Sequence, residues 1–333
     1  MEKNLTGDCI TIGVVGLGLM GSSVVVSLLF AGHKVIAISP LPNEEKVALS
    51  RISDQLLRCA DVGFVTKSRD SYLTSLTISN DYSNLKDCSL ILECVIEKIE
   101  IKEAVLNKIN AAAGADTIIA SNTSAIPISI LQRYVTNPER FIGIHWAEPA
   151  FATRFMEITC GDTTSVQTAE WVFDLAHHWG KEPTLLRRDI RGFITNRLMY
   201  AVYRESLSIV ESGKATIEDV DKAFRYDTGS WMTLMGIFRR MDFLGLKNYS
   251  VIFNAIFSDL SNNDGVPSLM KELVNMNANG IQNCRGFYIY TEQEAKKWND
   301  AFASFNHDIY QLSLLYPSDE KRHSLHQITK IIA

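Results

Sequence analysis

Thr11–Ser23 reads TIGVVGLGLMGSS. A short β-branched run, Thr11–Val15, leads straight into Gly16, Gly18 and Gly21. The apolar stretch Ser22–Phe30 has the length of a helix and stops at Ala31-Gly32, after which His33–Ile38 reads as a second strand. Glycines spaced G-x-G-x-x-G carry meaning only in this strand, turn, helix, strand setting. Gly16 permits the tight turn, Gly18 lets the backbone approach a pyrophosphate, and Gly21 lets helix and strand pack closely. N–H groups at the helix start then offer an anion site. The reading is a Rossmann-type α/β dinucleotide-binding domain, with Gly16, Gly18, Leu19, Met20 and Gly21 against the cofactor.

One position departs from the pattern. NAD sites usually place Asp or Glu at the end of the second strand, to bind ribose hydroxyls. Here Ser39 stands there, followed by Pro40-Leu41-Pro42, with no carboxylate before Glu44 and no Arg beside it. NAD is expected, with Ser39 at its ribose, and NADP stays open.

Outward from the glycine turn, strand and helix patterns alternate. Glu44–Cys59 has helical spacing, Leu76–Ser79 reads as a strand, and Ser89–Val95 as a buried parallel strand. A helix is expected over Glu100–Ala112, and Thr117–Ala120 is another strand ending at Ser121-Asn122-Thr123-Ser124. In open α/β sheets ligands sit at the carboxyl ends of strands. The polar residues after Ile38, Val95, Ala120 and Ile144 are therefore expected along one rim. Phe141–Glu157 reads FIGIHWAEPAFATRFME: one apolar run ends in His145, a loop carries Pro149, and a second run delivers Glu157. Paired strands would set a carboxylate beside an imidazole, which is what a general base needs to hold its tautomer.

The pattern changes after Asp189. Thr163–Trp179 reads as an amphipathic helix ended by His177-His178, and Glu182–Leu186 as a last strand. Beyond them come helices over Gly192–Val210, after the capping box Thr216-x-x-Asp219, over 230–244, 249–260 and 267–277, and over Glu292–Leu314. Residues 1–189 are expected to form the NAD(P)-binding domain. Residues 190–333 are expected to form a helical substrate and dimerisation domain with an extended tail.

Composition sets bounds. A net charge of −5 without a run of Lys and Arg argues against a nucleic-acid partner. The six cysteines, at 9, 59, 88, 94, 160 and 284, include no CxxC pair, which disfavours metal and redox motifs. The opening MEKNLTGDC lacks an apolar signal region, and no apolar stretch is long enough to span a bilayer. A cytoplasmic protein with reduced thiols, no metal and no membrane contact is expected.

Together, GLGLMG, the SNTS run, G-x-H-W-x-x-P, GFITNRL and the closing GFYIY resemble the L-3-hydroxyacyl-CoA dehydrogenase family, from about Ile10 to Tyr290. The resemblance implies a Rossmann-type domain followed by an all-α C-terminal domain that forms a homodimer. It implies an NAD(P)-dependent oxidoreductase of fatty acid metabolism, interconverting a 3-hydroxyacyl-CoA, or a related 3-hydroxy acid, and its 3-keto form. Carried over by residue, the catalytic His falls on His145, its partner on Glu157, the active-site Ser on Ser124 and the helical Asn on Asn196. Glu97 and Lys102 match positions that contact the cofactor.

The sequence also departs from the family. H-F-F-N-P becomes HWAEP, so Glu148 replaces an Asn near the nicotinamide. P-G-F becomes Arg191-Gly192-Phe193, and M-G-P-F becomes Met235–Phe238 followed by Arg239-Arg240. Contacts expected for CoA are not recognisable in Ser39–Ser50, and the Lys expected before GFY is Gln282. An alternative is therefore a dehydrogenase of a free hydroxy acid, with Arg191 and Arg239 gripping its carboxylate as bidentate forks. The 6-phosphogluconate-like dehydrogenases share GLGxMG, but their helical G-x-x-x-K-x-x-x-N pattern is missing. A non-catalytic nucleotide-binding or structural protein is the reading from a different class. The full set of Ser124, His145, Glu157 and Asn196 argues against it.

Overall fold

The computed structural model describes residues 9–316 except 42, 62–66 and 233. It divides into two compact units, Met1–Tyr200 and Ala201–Ala333. Pro42 and the tail residues 317–333 lie outside the described residues.

The first unit opens with β1 (Thr11–Val15), α1 (Leu19–Phe30), β2 (Lys34–Ile38) and α2 (Glu45–Asp61). A short α3 (Arg69–Leu73) leads to β3 (Leu76–Ser79). Then come β4 (Leu90–Glu93), α4 (Ile99–Ala112), β5 (Ile118–Ser121) and α5 (Ile128–Leu131). β6 (Phe141–Trp146) and β7 (Phe155–Cys160) follow, then α6 (Val166–His178) and β8 (Glu182–Leu186).

These strands form one eight-stranded sheet in the order β3-β2-β1-β4-β5-β6-β7-β8. Every neighbouring pair is parallel except β6 and β7, which are antiparallel. Crossover helices cover both faces, which is why the strands are apolar almost throughout. On one face α1, α2 and α6 bury Val25, Leu28, Ile52 and Val172 against Ile12, Val14 and Ile144. On the other, Leu106, Ile109, Ile128 and Leu131 pack against Val15, Ile91 and Phe141.

The glycine turn explains where α1 begins. The helix starts at Leu19, three residues before the Ser22 expected from the apolar run, so Gly21 lies inside it. A Cβ on Gly21 would stand 1.8 Å from the Gly16 carbonyl oxygen. Close packing of helix on turn, rather than helix propensity, admits the glycine there. A similar shift occurs at GFITNRL. Gly192 (φ +79) and Phe193 (φ +50) are left-handed, so α7 (Thr195–Glu211) starts at Thr195 and Asn196 falls in its first turn.

The second unit continues α7 and adds α8 (Ile217–Ala223), opened by the expected capping box of Thr216 and Asp219. The single helix expected over 230–244 is instead two, α9 (Gly229–Met232) and α10 (Ile237–Leu244). Then follow α11 (Leu246–Ile256), α12 (Ser268–Asn275) and α13 (Glu292–Leu315). Among the described residues, no helix is long and apolar enough to cross a membrane.

Candidate active site

β6 and β7 are registered so that His145 and Glu157 are direct cross-strand partners. On an antiparallel pair such residues project from the same face as nearest neighbours. His145 Nδ1 lies 3.3 Å from Glu157 Oε2. Glu157 is fully buried, while His145 keeps 15% of its side chain exposed. The other carboxylate oxygen, Oε1, accepts the backbone N–H of Ile194 at 2.7 Å and of Thr195 at 3.3 Å. The acid thus braces the imidazole and satisfies donors at the start of α7. Phe155 and Phe193 stand against the His145 ring, at centroid distances of 5.5 and 6.1 Å.

One residue into α7, Asn196 Nδ2 donates to the Ser124 carbonyl at 2.8 Å. Two residues before Ser124, Asn122 Oδ1 accepts the Trp146 N–H at 2.9 Å. This closes a circuit: His145 to Glu157, to the start of α7, to Ser124, and through Asn122 back to the residue after His145. Four expected site residues, far apart in sequence, are therefore tied to one another.

Glu97 holds this loop from its far side. Its Oε1 accepts Thr123 Oγ1 at 2.5 Å and the N–H groups of Ser124 and Ala125, both at 3.1 Å. Burial pulls the Glu97 carboxyl upward, but the Thr123 hydroxyl, the Lys102 ammonium and the two backbone donors outweigh it, and the pKa is lowered. Lys102 is 1% exposed and turned inward, to both Glu93 oxygens at 2.9 Å and to Glu97 Oε2 at 3.4 Å. Glu93, also fully buried, accepts the Val95 N–H and Ser121 Oγ as well. Such a pair is tolerable only when fully hydrogen-bonded. The sequence reading gives Glu93 no role and names Ser121 only as the start of the SNTS run. The one signal was an acid inside the apolar run LILE.

Glu148 lies on the loop joining β6 and β7. Burial pushes its carboxyl up to about 7, against a hydrogen bond from Ser23 of α1 that lowers it. Its Oε2 is buried without a hydrogen-bond partner, and Ala150 N on the same loop donates to Ser23 Oγ at 2.7 Å. Lys181, 3% exposed, donates to the carbonyls of Ala150 and Thr153 and so pins this loop. Burial lowers its amine to about 7.

Arg191 is exposed, two residues past an Asp189 that accepts the Ser129 N–H. Its neighbour Gly192 donates to the Ala125 carbonyl at 3.4 Å. That contact holds Arg191 beside the Ser124 loop. Arg239 lies on α10 of the second unit.

The glycine turn fits a dinucleotide. A Cβ on Gly16 would meet Cys94 backbone atoms at 2.9 Å, whereas Gly18 faces open space with nothing within 4 Å. Gly18 caps α1 without a side-chain hydrogen bond, and the first turn holds no acid. Its N–H groups are thus left for an anion. Ser39 is 1% exposed and donates to Leu41 O at 3.0 Å. The sequence shows no arginine beside it, but the fold brings one to the glycine turn. Arg51, on α2, donates through Nη1 to the carbonyl of Leu17.

Comparison with known proteins identifies the family. Residues 11–190 match the NAD binding domain of 3-hydroxyacyl-CoA dehydrogenase, and residues 192–290 match its C-terminal domain. A 5-formyl-3-hydroxy-2-methylpyridine 4-carboxylate 5-dehydrogenase from Mesorhizobium japonicum is 30% identical over 288 residues, 86% of this chain and 92% of that protein. A 3-hydroxybutyryl-CoA dehydrogenase from Mycobacterium tuberculosis is 30% identical over 282 residues, 84% of this chain and 98% of that one. A crystal structure of a 5-formyl-3-hydroxy-2-methylpyridine 4-carboxylic acid 5-dehydrogenase, described as an NAD+ dependent dismutase, superposes with a TM-score of 0.84 at 29% identity, covering 93% of this chain and 99% of that one. The chain belongs to the 3-hydroxyacyl-CoA dehydrogenase family, and NAD is its cofactor.

Proposed function

We propose that this enzyme interconverts the 3-hydroxy and 3-keto forms of a 3-hydroxyacyl-CoA or a related 3-hydroxy acid. The observation that carries the reading is the closed circuit joining His145, Glu157, Asn196 and Ser124. Glu157 keeps a proton on His145 Nδ1, so that Nε2 presents its lone pair to the substrate hydroxyl. In oxidation His145 Nε2 takes that proton; in reduction it gives it back. Glu157 then faces an imidazolium and stabilises its charge. Ser124 Oγ and the Asn196 amide bind the substrate oxygen and hold the carbinol carbon in place.

Gly16, Gly18, Leu19, Met20 and Gly21 would hold the dinucleotide, Ser39 would face its ribose, and Glu97 and Glu148 would face its nicotinamide end. NAD, when bound, supplies the two-electron acceptor. Lys102 serves this contact by fixing Glu97, since its own ammonium is committed inside the protein.

A second reading, a free carboxylate in place of the CoA thioester, is favoured by one observation. Arg191 is exposed and tethered next to the Ser124 loop. The relative from Mesorhizobium japonicum is likewise named for a substrate that carries a carboxylate. Turnover of 3-hydroxybutyryl-CoA and of free hydroxy acids, followed at the reduced-nicotinamide absorbance, separates the two. If the free acid is the substrate, Arg191→Ala raises its KM about 10-fold or more, the weight of a charge-assisted bond. If the CoA ester is turned over well and Arg191→Ala has no effect, the second reading is excluded.

The helical unit is proposed to form a homodimer. Among the described residues 201–316, Ala295 alone is buried, while Phe238 and Ile289 are 81% and 88% exposed. A unit of this size without its own core needs a partner surface. Sedimentation equilibrium giving a monomer at micromolar concentration would contradict this.

A further inference from the structure

We propose that Arg51 makes the adenosine-ribose corner of the cofactor site accept a 2′-phosphate, so that the enzyme binds NADP as well as NAD. The corner is built from three pieces. Gly16 N donates to the Ile38 carbonyl at 2.9 Å, which sets the start of the glycine turn against the end of β2. Ser39, the next residue, occupies the position from which a carboxylate ordinarily reads the ribose hydroxyls and repels a phosphate. It carries no charge, and its hydroxyl is committed to Leu41 O. The Leu17 carbonyl, inside the turn, accepts both Ser22 Oγ and Arg51 Nη1.

That bond anchors the guanidinium at the turn and uses one of its five N–H groups. Arg51 is half-buried, and no carboxylate pairs with it among the described residues. An anchored, partly desolvated guanidinium with its fork unspent matches a phosphate. The pyrophosphate already has the open N-terminus of α1 and the bare Gly18. The phosphate left for Arg51 is therefore the one a 2′-phosphorylated cofactor adds. An arginine near the end of the second strand is the usual means of accommodating it. Here it comes from twelve residues further on, in α2.

The test is calorimetric binding, without turnover. In the wild-type protein, NADP is expected to bind within about 10-fold of NAD, and 2′,5′-ADP more tightly than 5′-AMP. Arg51→Met is expected to shift the NAD-to-NADP affinity ratio about 10- to 100-fold toward NAD, with Arg51→Lys restoring part of the change. Ser39→Asp is expected to shift the ratio the same way by repulsion. Wild-type discrimination of about 1,000-fold against NADP would overturn the proposal. So would an Arg51→Met variant that loses NAD and NADP affinity in equal measure, because it would place the guanidinium on the shared pyrophosphate.

Discussion

Glu157 is bound to Ile194 as firmly as it faces His145: its Oε1 accepts the Ile194 N–H at 2.7 Å while Oε2 stands 3.3 Å from the imidazole. One buried carboxylate thus joins the proposed catalytic imidazole to the first turn of the helix that carries Asn196. Glu157→Gln preserves the shape and one acceptor oxygen. If its amide takes the place of Oε2, it offers N–H to Nδ1 and favours the wrong tautomer. We expect kcat to fall about 100-fold with little change in thermal stability. Glu157→Ala strips the Ile194 and Thr195 donors as well, and is expected to cost about 1–3 kcal/mol in urea unfolding. Full kcat in Glu157→Gln would remove the bracing role.

Glu97 gives a prediction with a definite pH sign. Its folded pKa is lowered, so it contributes stability that is present above the unfolded glutamate value of about 4.3. That contribution is lost as pH falls through the lowered folded value. In acid titrations followed by circular dichroism, Glu97→Gln is expected to lower stability at pH 7, and the gap to wild type is expected to close toward pH 3. A gap that does not depend on pH would show that the charge on Glu97 is not what holds the Ser124 loop.

Glu148 carries the opposite sign. With a folded pKa of about 7, the native state keeps a proton that the unfolded chain releases above pH 4.5. Stability therefore falls as pH rises from about 4.5 to 7 and then levels off. Glu148→Gln removes this liability. Its melting temperature is expected to exceed that of wild type at pH 8 and to approach it at pH 5. A constant offset between the two curves would contradict the buried, unpaired Oε2 as its cause.

Much of this was legible in the sequence because local patterns and tertiary demands agree. Gly16, Gly18 and Gly21 sit in the one context where their spacing has a mechanical reason. His145 stands near the end of β6, and Glu157 lies inside β7, which runs on to Cys160, in direct register with it. The supporting residues were less legible because their partners are distant in the chain. Glu93 reads as a stray acid in a strand until Lys102 and Ser121 close around it. Arg51 reads as a surface residue of α2 until α2 packs on α1 and brings it to Leu17. Phe193 falls inside the helix expected over Gly192–Val210, yet its left-handed backbone leaves it ahead of α7 and beside the His145 ring. The same left-handed pair sets the start of α7 at Thr195 rather than Gly192.

The central claim is that a braced imidazole moves the proton of a secondary alcohol. The most direct measurement is single-turnover NAD reduction in a His145→Gln variant, with NAD affinity determined separately so that lost cofactor is not counted as lost chemistry. The account predicts a chemical step slowed about 10²- to 10⁴-fold in NAD-saturated enzyme. A His145→Gln variant that reduces NAD at the wild-type rate would contradict it.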